Sequence, residues 1–171
     1  MMAGLRRALD LTLGFVCCVL LAGLVVVLAW QVISRYAMNA PSSTTEEMLR
    51  YGVIWMSLLG AAYAVGKGSH LSVDLLRDRL GRAGRLRLDA VIAVFFILFA
   101  AVVLIWGGMR GVTIASMQKS AVMQIPMSWV YLSLPVSGAL MVVYSVLNLF
   151  DLARGVTHHV DLEEEVEAHG D

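Results

Sequence analysis

Ionisable side chains are scarce in this chain: of 171 residues, 15% are charged and 59% are hydrophobic. Soluble domains carry about 25% charged and about 45–50% apolar residues, so the deficit excludes an ordinary soluble domain and points to a membrane protein. Cysteine is nearly missing. Cys17 and Cys18 are adjacent within an apolar run, a poor arrangement for a disulfide, and no further Cys or His lies near enough to complete a metal site. Both read as small packing hydrophobes. Histidine is confined to His70, His158, His159 and His169, outside the apolar runs, which argues against the paired axial ligands of a haem-carrying four-helix protein. No Asp or Glu is embedded mid-span, as a proton-coupled exporter would need, and no nucleophile stands beside a base and its orienting group. The arginines lie between apolar runs without interleaved aromatics, so no nucleic-acid partner is expected. The chain is therefore read as non-catalytic, with no cofactor and no metal.

What is present is a set of four long apolar runs. Leu11 to Ser34 is uncharged for 24 residues, about 36 Å as a helix, which exceeds the roughly 30 Å hydrocarbon core. It is too long for a signal-peptide apolar region and is read as a retained anchor. The runs predict an all-α membrane protein with four spans at about 11–33, 48–66, 90–109 and 127–149. Residues 1–150 form one membrane domain in this reading, and 151–171 an acidic cytoplasmic tail. Pro126 suits the start of the fourth helix, whereas Pro135 would fall inside it and kink it.

Net charge is zero, yet the basic residues are unevenly placed. With the N-terminus inside, nine Lys and Arg fall on the cytoplasmic side and four outside, so both termini are expected in the cytoplasm. Trp30, Trp55, Trp106 and Trp129 all fall at ends assigned to the outer face, as an aromatic belt would. Between spans two and three, Val73, Leu76 and Leu80 recur at helical spacing. This predicts a short amphipathic surface helix, with Arg77, Arg79, Arg82, Arg85 and Arg87 meeting lipid headgroups.

Small residues recur on the spans: Gly14, Cys18 and Ala22; Ser57, Gly60, Ala61 and Ala64; Ala93, Ala100 and Gly107; Ser133 and Ser137. Such faces let membrane helices approach closely, within this bundle or against another subunit. A charge cluster stands where the second run begins. Ser43 with Glu46, and Thr44 with Glu47, fit a capping box, and Arg50 follows Glu46 by four residues, the better order for an ion pair. The same residues could instead contact a partner.

Several stretches resemble the small membrane (Q-type) subunit of tripartite ATP-independent periplasmic (TRAP) transporters. They are QVISRY at 31–36 with Pro41, EEMLRYGVIW at 46–55, GAAYAVGKGSHLSVDLL at 60–76 and IPMSWVYLSLPVSGALM at 125–141. The resemblance covers residues 12 to 150, in order. It implies a four-helix subunit that binds and widens the scaffold of a large membrane transport subunit. That large subunit would import organic acids with sodium, after capture by a periplasmic substrate-binding protein. Arg35, Tyr36, Glu46, Glu47, Arg50 and Trp55 are the candidate contacts at the outer face. His70 and Asp74, four residues apart at the inner end of helix two, are a candidate inner-face pair. A four-helix assembly or anchor protein unrelated to transport is the alternative.

Overall fold

The computed structural model describes residues 2–40, 42–67 and 82–153. Four helices in it are long and apolar enough to cross a membrane. Helix α1 is Met2–Tyr36 and α2 is Ser43–Lys67. Helix α3 runs through Arg82–Phe99, a wide-turn segment Ala100–Gly107, and Gly108–Ala115. Helix α4 comprises Ser128–Tyr131 and Ser133–Ala153. The helices overrun the apolar runs, so their ends carry the polar residues out of the hydrocarbon. The N-terminus and the ends of α2 and α4 lie together at what we term the terminal end. Residues 37–40, Ser42 and the connection 116–127 lie at the opposite, loop end.

Helix α1 packs along α2, α2 along α4, and α4 along α3. The order α1–α2–α4–α3 places α2 and α4 inside, and α4 is the more enclosed: half of its apolar window is buried in the fold, against 17% for α2 and 11% for α1. Leu13 and Cys17 of α1, Leu59, Ala62 and Val65 of α2, Ala100 and Leu104 of α3, and Met141 and Tyr144 of α4 form the core. Cys17 packs there while Cys18 is exposed. Within a bilayer such contacts gain from close van der Waals packing rather than from leaving water. Gly66 illustrates this: a Cβ built on it would lie 2.5 Å from the Tyr144 ring.

The seven-residue pattern of small residues on α3 predicts Ala93, Ala100 and Gly107 on one face. The structure buries Ala93, Ala100 and Gly108, and leaves Gly107 exposed. The cause is the π-helical stretch Ala100–Gly107, whose wider turns take up an extra residue and rotate the rest of the helix. Gly108 then meets α4, where a Cβ would lie 2.8 Å from Leu134 and 2.9 Å from Pro135. Ser133 and Ser137 are buried on α4, and each hydroxyl donates back to its own helix, to the carbonyls of Val130 and Leu134. Of the other small residues, Gly14 packs near Tyr63, whereas Cys18, Ala22, Ser57 and Ala61 are exposed.

Helix α4 begins at Ser128, two residues after Pro126, which pairs with Lys119 in an isolated bridge. The helix is interrupted at Leu132. Pro135 has no N–H to donate, so the bond that would close that turn is missing; the ladder resumes with Val136 donating to Leu132 at 3.2 Å.

Of the basic residues expected on a surface helix, Arg77 and Arg79 lie outside the described residues, as do the segment 68–81, His70 and Asp74. Arg82, Arg85 and Arg87 belong to the first turns of α3 instead.

Candidate functional site

The polar groups of the described residues gather at the two ends of α2. At the loop end α2 starts with Ser42 as its cap. The Ser42 hydroxyl accepts the Thr45 N–H at 3.5 Å, and the Thr45 hydroxyl donates to the Ser42 carbonyl at 2.9 Å. This replaces both capping boxes expected from Ser43–Glu46 and Thr44–Glu47. The cap lies a residue earlier, and neither glutamate turns back to the helix start.

The two glutamates point in different directions. Glu46 pairs with Arg50 at 3.5 Å in the expected i, i+4 arrangement, with both side chains largely exposed. Glu47 is turned inward and is 6% exposed. Its carboxylate takes hydrogen bonds from a loop more than seventy residues away in sequence. Oε2 accepts the Ser120 hydroxyl at 2.8 Å, the Met123 N–H at 2.7 Å and the Val122 N–H at 3.3 Å. Oε1 accepts the Ala121 N–H at 3.1 Å and the Tyr51 hydroxyl at 2.9 Å. An ionised carboxylate only accepts, and here every partner donates, so the charged form satisfies all five. The three consecutive backbone N–H groups make a concave anion nest.

The loop is shaped to present those N–H groups. Ser120 N–H donates to the Ile125 carbonyl and Met127 N–H to the Gln118 carbonyl, each at 2.9 Å, closing residues 118–127 into a hairpin-like turn. Gln124 adopts φ 55°, a left-handed conformation uncommon for a residue other than glycine. Its side-chain amide donates to the Ala121 carbonyl at 3.2 Å and so supports the turn.

At the terminal end, polar side chains complete the last turn of α2, whose final carbonyls have no partner within the helix. Arg6 of α1 donates to the Gly66 carbonyl at 2.7 Å and pairs with Asp151 of α4. Asn148 of α4 donates to the Val65 carbonyl at 3.0 Å, and Lys67 pairs with Asp10 of α1 at 3.1 Å. Three helices are thus joined around one helix terminus, where positive charge is also favoured by the helix dipole.

The remaining candidates separate by exposure. Arg35 and Tyr36, at the end of α1, are exposed beside the loop end. Trp55 is half-buried and packs against the core. Trp106 lies under the Arg110 guanidinium, 4.5 Å from ring centroid to charge. Of the expected contact set, Arg35, Tyr36, Glu46 and Arg50 are exposed at the loop end, while Glu47 and Trp55 face inward. Ser120 and the 121–123 amides cannot be picked out by sequence reasoning, because nothing local to them marks an acceptor so distant in the chain.

Four apolar helices with polar anchoring at their ends define a multi-pass membrane protein. Residues 24–155 match the family model described as Tripartite ATP-independent periplasmic transporters, DctQ component; the chain belongs to this family of TRAP small permease subunits. It is 30% identical over 151 residues, 84% of each chain, to the sialic acid TRAP transporter small permease protein SiaQ of Vibrio cholerae. It is also 34% identical over 112 residues to the isethionate TRAP transporter permease protein DctMQ of Oleidesulfovibrio alaskensis. Those residues are 64% of this chain but 18% of that relative, so the matching module is there a minor part of a much longer polypeptide.

Proposed function

We propose that the chain is the non-catalytic small membrane subunit of a sodium-driven TRAP importer of organic acids. In this reading it lies in a bacterial or archaeal cytoplasmic membrane with both termini in the cytoplasm, and it binds and widens the scaffold of a large transport subunit. Substrate and sodium are handled by that partner, after delivery by a periplasmic substrate-binding protein. The observation that carries the reading is the distribution of charge. No Asp, Glu, Lys, Arg or His lies near the middle of a span, where coupling and substrate sites are usually marked by ionisable groups. The relative in which the matching module belongs to a longer permease polypeptide supports a permanent membrane partner.

Arg35, Tyr36, Glu46 and Arg50 are then the exposed contacts for the large subunit or the docking periplasmic protein, and Glu47 acts by holding the loop beside them. An affinity pull-down from native membranes in mild detergent, with mass spectrometry of the captured proteins, tests the reading. A large polytopic protein in near-stoichiometric amount is expected. Recovery of the chain alone, or with unrelated assembly factors, would contradict it and favour an anchor protein.

A further inference from the structure

The hydrogen bonds around Glu47 have the pattern of a ligand site rather than of a helix packing contact. Five donors from Tyr51, Ser120, Ala121, Val122 and Met123 surround one carboxylate, three of them successive backbone N–H groups. Four of the five belong to residues 120–123, so most of the site is built without α2. A backbone nest of this kind recognises an anion by shape and by N–H direction, whatever the anion is attached to. We propose that residues 120–123 form a carboxylate-binding nest and that Glu47 is its tethered ligand.

The proposal stands apart from the transport reading, since it concerns only how one loop is held. Met117, Val122 and Trp129 in and beside the 116–127 connection are exposed, so the hydrogen bonds to Glu47 are a principal tie between this loop and α2. An intramolecular ligand acts at a high effective concentration, so free carboxylates should leave the native protein undisturbed. Removal of the tethered carboxylate opens the nest to a small free one, for which formate and acetate have the right group and size.

Lys119 gives a local readout, because it is exposed and sits in the bridge opposite Pro126. Trypsin cleavage after Lys119, monitored by mass in the detergent-solubilised full chain, reports opening of the loop. In Glu47→Ala cleavage should rise about tenfold or more as local opening becomes easier. Formate should slow it saturably, whereas chloride at equal ionic strength should not. Glu47→Gln should be cleaved quickly and stay insensitive to formate, because its side chain fills the space without offering two acceptor oxygens. Ser120→Ala, which keeps Glu47 and removes one donor, should lie between wild type and Glu47→Ala. Cleavage of Glu47→Ala or Ser120→Ala at the wild-type rate would overturn the proposal. So would equal protection by chloride, or a formate response in Glu47→Gln matching that in Glu47→Ala.

Discussion

The two ends of α2 are fastened by different chemistry. At the terminal end charged side chains bridge helices: Arg6 to Asp151 and Lys67 to Asp10, with Arg6 and Asn148 completing the last carbonyls of α2. At the loop end a single carboxylate meets backbone N–H groups of a connection. The contrast comes from the groups each end offers. The C-terminus of α2 leaves unpaired carbonyls, which Arg6 and Asn148 meet, whereas the 120–123 turn leaves unpaired N–H groups. The terminal end ties helix to helix and supports the whole bundle. The loop end ties a helix to a surface, so its loss should be local.

That difference can be broken most severely from the terminal side. Gly66→Ala places a methyl group against the Tyr144 ring, which is 1% exposed and has no room to withdraw. The substitution should destabilise the bundle by about 2–3 kcal/mol, measured by unfolding in mixed micelles. Arg6→Ala comes next, because it removes both the ion pair to Asp151 and the donor to the Gly66 carbonyl; a loss of about 2 kcal/mol is expected in the same unfolding measurement. Lys67→Ala should cost about 1 kcal/mol, as Lys67 is 34% exposed and water can replace part of its pairing. Glu46→Ala should change stability by no more than a few tenths of a kcal/mol, since both members of its pair are largely exposed. If Glu46 instead contacts a partner, the same substitution weakens co-purification of the large subunit while leaving the melting curve of this chain in place. Single substitutions at Glu46 and Glu47 therefore sharpen the comparison, because the two neighbours face opposite surroundings.

Much of the architecture is legible in the sequence, since span length and apolar composition constrain a membrane helix strongly. Four helices emerge from that alone. Finer features depend on relations that spacing does not carry. The buried face of α3 slips from Gly107 to Gly108 because a π-helical stretch intervenes, and nothing in AAVVLIWG announces it. The cap at Ser42 competes with two equally plausible boxes one and two residues later, so a run of Ser and Thr leaves the choice to tertiary contacts. Glu47 is the clearest case. Its place beside Glu46 suggests one shared role at the lip, but helical rotation separates neighbours by about 100°, and the donors that claim Glu47 lie on another connection. Pro135 is readable because proline removes a particular hydrogen bond wherever it falls.

The central claim is that a buried carboxylate on α2 holds the loop end while the terminal end is held independently. Amide hydrogen exchange of the full chain, comparing wild type with Glu47→Gln, addresses it most directly. The account predicts faster exchange at Ala121, Val122 and Met123 with unchanged protection in the last turns of α2 and α4. Unchanged exchange at those three amides, or an equal loss at both ends, would contradict it.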